Sequence, residues 1–105
     1  MKGEKFDDGK IMAGLVLTGF ANALEKVSEV GTFGASKYSP DGWKYVPGAY
    51  ERYQNALYRH LLEDGKGVKV DAESNLDHLA HAAWNILALL ELRYRYIPDN
   101  KDVPF

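Results

Sequence analysis

The chain has 105 residues, of which 46% are hydrophobic, a formal net charge of -2 and no cysteine. This length supports one core and excludes two domains of ordinary size, so we expect a single domain over residues 1–105. The lack of cysteine excludes disulfides, thiolate metal sites and a cysteine nucleophile. Basic and acidic residues are interspersed, which argues against a duplex nucleic-acid partner but permits a small nucleotide, whose pocket needs few cations.

The N-terminal residues are polar and charged. Residues 1–10 lack the apolar segment of a signal peptide, and the longest apolar stretch, 79–92, is interrupted by polar side chains. We therefore expect a soluble, cytoplasmic protein with no membrane partner. Residues 1–14 show neither helical nor strand periodicity, which predicts an N-terminal arm.

A first helix is predicted over about 18–38, because apolar residues recur there every three or four positions. Its end is predicted by the turn sequence of residues 39–42, Ser-Pro-Asp-Gly. Gly31 and Gly34 lie inside this helix, where glycine permits either close helix contact or a bend near Phe33.

A second helix is predicted over about 49–64, after a connector that contains Pro47. Glycines follow its end, and residues 65–72 read as a polar, mobile loop. The apolar residues of this helix that we expect to face the core are Tyr50, Tyr53, Leu57 and Leu61.

A third helix is predicted to begin near residues 71–74, with Asp71 or Ser74 as its cap, and to reach about Tyr96 before Pro98. Its apolar residues extend around most of its circumference. Because three helices cannot fully surround one of themselves, we expect an all-α bundle of three main helices that is completed by homo-oligomerisation. Residues 98–105 are predicted to form a C-terminal tail.

The polar residues of the predicted helices are clustered. His78, His81 and Asn85 share one stripe of the third helix, at positions i, i+3 and i+7. An antiparallel second helix would face them at the same height. That helix carries a matching group at its C-terminal turn: His60, Glu63 and Asp64.

Imidazoles and carboxylates in an apolar setting are costly unless they are paired or bind a metal. We predict a divalent metal held by His60, Glu63, His78 and His81. This donor set suits manganese, cobalt or zinc better than magnesium. The alternative is that the histidines only hydrogen-bond to neighbouring polar side chains within a helix interface.

Several cationic and aromatic side chains are candidates for contacts with a nucleotide. Arg52 and Arg59 are two helical turns apart and are spaced to clamp phosphate oxygens, although an exposed arginine is ordinarily only a surface charge. Trp43 follows the first helix and is a candidate for stacking on a base, or for closing the end of the bundle. The full set of predicted substrate contacts is Lys10, Lys37, Trp43, Arg52, Arg59 and Asn85.

Several motifs in order give the chain a family resemblance over about residues 5–93. They are KFDDGK (5–10), FGASKY (33–38), the tryptophan at 43, RYQNALYRHL (52–61) and HLAHAAWNILALLEL (78–92). Together they resemble the phage and bacterial family of dATP/dGTP diphosphohydrolase N-terminal domains. The family is in turn similar to the MazG-like all-α nucleoside triphosphate pyrophosphohydrolases, which cleave between the α and β phosphates with divalent metal held by acidic helix motifs.

The resemblance implies a nucleotide site in a helical dimer. It aligns His78 and His81 with the second acidic motif of the MazG-like group, and His60 and Glu63 with the first. Replacing carboxylates by imidazoles removes negative charge that normally holds magnesium, so either the metal differs or hydrolysis is lost.

Two functions follow from the resemblance and the residues together. The first is a metal-dependent pyrophosphohydrolase that converts dATP or dGTP to the monophosphate and pyrophosphate, with Glu63 or Asp64 as the base that activates water. The second is a binding protein that sequesters a nucleotide without turnover. A third possibility is an interaction module whose histidines are structural.

Overall fold

The computed structural model describes residues 9–95, and this part of the chain is all helical, as the sequence predicts. The predicted tail and the first eight residues of the predicted arm lie outside the described range. None of the helices within 9–95 combines the length and apolarity that a membrane crossing requires. The four α-helices are α1 (Ala13–Gly19), α2 (Ala21–Lys37), α3 (Ala49–Gly65) and α4 (His78–Tyr94), and a short 3-10 helix (Gly42–Tyr45) lies between α2 and α3.

The predicted first helix is divided, and it begins earlier than the sequence indicated. Phe20 leaves helical geometry, with φ -114° and ψ 29°, directly after Gly19. Its N–H donates to Val16 O at 3.0 Å and its carbonyl accepts from Leu24 N at 2.7 Å, so Phe20 joins the two helices. The weak helix propensity of glycine at the preceding position is the physical reason for the break.

α2 continues past its glycines without a break near Phe33. Of the two predicted roles, close contact is the one that the structure shows, and it shows it at Gly31 but not at Gly34. A Cβ on Gly31 would lie 3.4 Å from Nε1 of Trp84 in α4. α2 and α4 therefore approach closely at Gly31, where a methyl group would be in van der Waals contact with the ring of Trp84.

Contacts at both ends show that α3 and α4 pack antiparallel. Tyr50, near the start of α3, accepts a hydrogen bond from Arg93 Nη2, near the end of α4, at 3.0 Å. His60, near the end of α3, lies against His78, the first residue of α4. The core between these helices consists of Ala49, Tyr50, Leu89 and Leu92, with Trp43, Val46, Tyr53 and Leu57 packed against it.

α3 matches the predicted second helix to within a residue at each end. Tyr50 is buried, and Tyr53 and Leu57 pack on the core as predicted. The prediction for Leu61 is wrong, because its side chain is 46% exposed. Leu61 lies near the C-terminal end of α3. The antiparallel helix α4 begins there, and the first residues that it presents to α3 are polar.

The start of α4 also differs from the prediction. The helix begins at His78, and its cap is Asp77, whose side chain accepts from Leu79 N at 2.8 Å. Residues 71–74 belong instead to a loop that folds back on itself. The N–H of Asp71 donates to Leu76 O and that of His78 to Lys69 O, both at 2.8 Å.

Much of the apolar circumference of α4 stays exposed in the single chain. Leu79, Ile86, Leu87 and Leu90 are each about half exposed, at 53%, 49%, 47% and 50%. α1 has no buried residue at all. The buried side of α4 is therefore narrower than its composition indicates, and it is this side that carries the polar stripe.

Candidate functional site

The three histidines of the chain meet where the end of α3 faces the start of α4. The Nδ1 atoms of His60 and His78 lie 2.8 Å apart. The ring of His60 stacks on that of His81, with centroids 4.4 Å apart and planes 8° from parallel. His78 and His81 are buried, and His60 is partly buried. Antiparallel packing thus brings together side chains that are 18 and 21 residues apart.

Hydrogen bonds of Ser74 fix the orientation of His81. The hydroxyl of Ser74 donates to Asp71 Oδ2 at 2.9 Å and accepts from Leu76 N at 3.2 Å. It also lies 2.7 Å from His81 Nε2. Because its one proton goes to the carboxylate, the hydroxyl accepts from His81, whose Nε2 therefore carries a hydrogen. In the neutral ring, Nδ1 then keeps its lone pair.

Asp71 is the carboxylate that the sequence interpretation missed as part of this cluster. Its ligand atom and those of His60 and His78 all lie within 4.8 Å of one another, a grouping suited to one metal ion. The sequence predicts Asp71 or Ser74 as a helix cap, but Asp71 Oδ2 accepts from Ser74 N at 2.8 Å in a turn. Asn75 is the residue from which the sequence could have indicated a turn here, because asparagine adopts left-handed backbone more readily than most residues. In the structure its φ is 60°.

Burial favours the neutral forms of His60 and His81. Burial and the neighbouring His81, against the opposing effect of Asp71, lower the pKa of His60 to about 4. Burial also lowers the pKa of His81. For Asp71, burial raises the pKa, but the hydrogen bonds from Ser74 N and Oγ outweigh it and the net shift is downward. Neutral imidazoles beside an ionised carboxylate are the protonation states that a metal ion requires.

The donor chemistry of the cluster fits a divalent transition metal. Two imidazoles and one carboxylate, from His60, His78 and Asp71, are ligands that manganese, iron, cobalt, nickel and zinc accept, whereas magnesium prefers oxygen ligands. The sequence prediction of a site on these helices thus gains a geometric basis for His60 and His78. His81 adjoins this set through its stacking on His60 and its contact with Ser74.

A cavity of about 690 Å³ opens beside the cluster, between α2, α3, α4 and residues 38–46. His60 and His81 form part of its wall. Five of the six predicted substrate contacts also line it, although they come from four separate segments of the chain: Lys37, Trp43, Arg52, Arg59 and Asn85. Its size is in the range of small-molecule sites.

Aromatic rings form one wall of the cavity. Trp84 packs edge-on against Trp43, with centroids 5.4 Å apart, and against Tyr53, with centroids 5.6 Å apart. The hydroxyl of Tyr53 donates to Trp43 O at 2.6 Å, which ties the 3-10 helix to α3. The burial of this ring raises the pKa of Tyr53 to about 12. The contacts between the three rings and the hydrogen bond of Tyr53 therefore fix the position of this wall.

An ion pair crosses the cavity wall. Lys37, the last residue of α2, donates from Nζ to Glu73 Oε2 at 2.8 Å, and both residues line the cavity. Glu73 lies in the loop that carries Asp71 and Ser74. The ion pair therefore connects α2 to the loop that supplies the carboxylate of the histidine cluster.

Three of the predicted site residues lie elsewhere. The carboxylate of Glu63 pairs with Lys66 at 3.0 Å, and that of Asp64 pairs with Lys69 at 3.3 Å. Neither carboxylate belongs to the metal grouping or to the cavity wall as described for residues 9–95. Lys10 is exposed, ahead of α1, and is likewise not part of the wall.

The fold and the site define an all-α domain with a cation-lined cavity beside a histidine cluster. The profile of the family described as "dATP/dGTP diphosphohydrolase, N-terminal" matches residues 1–101. The chain belongs to this family, as the motifs in its sequence indicate. A protein of Salmonella phage PMBT28 that carries the name dATP/dGTP diphosphohydrolase is 36% identical to it over 92 residues.

The match with the phage protein is unequal in its coverage. It includes 88% of this chain but 30% of the phage protein. No solved structure matches the chain significantly. The activity in the name of the phage protein therefore belongs to a polypeptide of which this chain resembles one part.

Proposed function

We propose that this chain is a metal-dependent nucleotide diphosphohydrolase that acts on purine deoxynucleoside triphosphates and releases the monophosphate and pyrophosphate. The observation that carries the proposal is a cavity lined by cationic and aromatic side chains and by His60, which also belongs to the metal grouping. The family and the name of the phage relative support the same reaction class.

The roles follow from the position of each group around the cavity. Arg52, Arg59 and Lys37 supply the positive charge that phosphate oxygens require. The aromatic wall of Trp43 and its neighbours offers a face for a base. A divalent ion at His60, Asp71 and His78 would bind phosphate oxygens and offset the negative charge that develops on them.

The base that activates water remains a proposal with two sets of candidates. Glu63 and Asp64 are the sequence candidates, and each now has a lysine partner outside the cavity. Glu73 is the carboxylate that lines the cavity beside the cationic residues. We therefore include Glu63→Gln, Asp64→Asn and Glu73→Gln in the test as separate variants.

A second candidate is binding of a nucleotide without turnover. The metal grouping in the described residues contains one carboxylate, so it carries less negative charge than the acidic motifs of the MazG-like group. The chain also corresponds to 30% of the phage relative, so the reaction in that name can reside in another part of that protein. The cavity alone would then serve to hold the nucleotide.

The test is incubation of the metal-stripped protein with deoxy- and ribonucleoside triphosphates and added Mn²⁺, Co²⁺, Zn²⁺ or Mg²⁺, with products resolved by ion-exchange chromatography. Hydrolase function predicts monophosphate and pyrophosphate in equal amounts, and their loss in His78→Ala and Asp71→Asn. Thermal stabilisation by nucleotide without product supports the binding function. If the protein forms no product and is not stabilised by any nucleotide, both functions are contradicted.

We also propose that the protein forms a homo-oligomer. Within the described residues α1 packs mainly on the helix that follows it, and Leu15, Val16 and Leu17 are 65%, 54% and 62% exposed. The radius of gyration is 16.4 Å, against about 13 Å for a compact chain of this length. Sedimentation analysis should show an oligomer that Leu15→Glu dissociates, and a monomer at high concentration would contradict the proposal.

A further inference from the structure

Asn85 has a fixed amide orientation. One atom of its amide group lies 2.9 Å from the carbonyl oxygen of His81, one turn earlier in α4. A carbonyl oxygen only accepts hydrogen bonds, so the facing atom must be the donor Nδ2. The amide oxygen Oδ1 is therefore directed away from this contact.

Among the residues that the structure describes, none donates a hydrogen bond to Oδ1 of the buried Asn85. The residue is 5% exposed, and within residues 9–95 the bond to His81 O is the only hydrogen bond that its side chain forms. Buried polar atoms are nearly always paired, and leaving one unpaired costs stability. Asn85 also lines the cavity. A ligand in the cavity is thus positioned to supply the missing donor.

The position of Asn85 along α4 indicates which part of a nucleotide it meets. It follows His78 by seven residues, which places it about 10 Å further along the helix than the metal grouping. Its neighbour in the chain is Trp84, which belongs to the aromatic wall. The histidine end of the cavity suits the phosphates, and the Asn85 end suits the base.

We propose that Asn85 is a specificity-determining residue whose Oδ1 accepts a hydrogen bond from the 6-amino group of a bound adenine. Asparagine that reads adenine through both amide atoms donates as well as accepts, but here Nδ2 is already bonded to His81 O. The contact therefore selects bases by one donor that they carry. This inference rests on the proposed nucleotide site.

The experiment compares two triphosphates that differ only in that donor. They are the α,β-methylene analogues of dATP and of purine 2′-deoxyriboside triphosphate, which lacks the 6-amino group; neither is cleaved between the α and β phosphates. Titration calorimetry with the Co²⁺-loaded protein should show about tenfold tighter binding of the amino-bearing ligand, the usual cost of leaving one buried acceptor unpaired. Equal affinities in the unmodified protein would overturn the inference without any variant.

Two variants assign the preference to Asn85. Asn85→Leu has a similar volume and no acceptor, so it should bind both ligands alike, whereas Asn85→Asp keeps an acceptor and should retain the preference. A preference that persists in Asn85→Leu overturns the inference. A variant that instead changes discrimination between deoxyribose and ribose analogues overturns it in favour of a sugar contact. Absence of any binding to the unmodified protein is a different result, because it contradicts the proposed function itself.

Discussion

His60 and His78 face each other across the interface of α3 and α4 with their Nδ1 atoms 2.8 Å apart. Two neutral imidazoles at this distance share one hydrogen, so one donates and the other accepts. A proton added to the accepting Nδ1 would set two N–H groups against each other and place a positive charge in a largely buried cluster. The neutral pair is therefore the state that the fold stabilises.

This pairing predicts that the metal-free protein loses stability as the pH falls. The pKa of His60 is lowered from its ordinary value of 6.5 to about 4, chiefly by burial. Between these values the unfolded chain binds a proton that the folded chain does not, so acid favours unfolding. The contribution of His60 to the free energy of unfolding should be complete above pH 6.5 and should decline toward pH 4. Urea unfolding at a series of pH values measures it.

His60→Gln is the matched variant, since it removes the titration and keeps hydrogen-bonding capacity. It should reduce the slope of stability against pH in that window. Asp71 acts in the same direction at lower pH, because its pKa is lowered and its stabilising effect is lost on protonation. Parallel pH profiles for the variant and the unmodified protein would contradict the prediction.

Glu73 is predicted to weaken anion binding. It holds Lys37 through a contact of 2.8 Å at the cavity wall, where a phosphate would compete for the same ammonium group. Glu73→Gln should therefore raise the affinity for a triphosphate about two- to fivefold, the range that an exposed ion pair is worth. Fluorescence titration, with Trp43 and Trp84 in the wall as reporters, measures this change.

The control is Glu29→Gln, which makes the same change in net charge. Glu29 pairs with Lys26 at 3.9 Å on α2 and is not part of the cavity wall. Its affinity should be unchanged. An equal gain in both variants would indicate a general charge effect, and lower affinity in Glu73→Gln would show that Glu73 contributes to binding.

Two substitutions at Gly34 are predicted to have separate effects, one on stability and the other on ligand binding. It lies within α2 and lines the cavity, and a Cβ there meets nothing within 4 Å. Gly34→Ala should stabilise the protein by about 0.5–1 kcal/mol, because alanine loses less entropy in a helix. Gly34→Leu should weaken nucleotide binding by occupying the cavity. Thermal melts and titrations of both variants test this, with Gly65→Leu in α3, at an exposed position outside the cavity wall, as the control.

Asp77 is predicted to stabilise the start of α4. Its side chain accepts from Leu79 N at 2.8 Å. Asp77→Ala should lower the free energy of unfolding by about 1 kcal/mol, as loss of an N-cap usually does. Asp77→Asn retains the acceptor and should restore most of this loss. Urea unfolding of the two variants measures the difference, and equal stabilities would contradict the capping role.

The sequence by itself determined the helical class, the bounds of α3 and the presence of a polar stripe on α4. These properties depend on local periodicity and on turn residues, which act over a few positions. Its motifs also indicated the family. The same local reasoning placed the α4 cap at Asp71 or Ser74, because the Asp-x-x-Ser spacing is shared by helix caps and by turns.

Only the tertiary structure decided which polar residues meet. Asp71 joins the histidines because its loop folds back against α4, whereas Glu63 is drawn to Lys66 on its own turn. The exposure of Leu61 likewise depends on where the neighbouring helix begins. Spacing along a helix gives the face of a side chain, but contact between segments depends on packing, which a single sequence does not display.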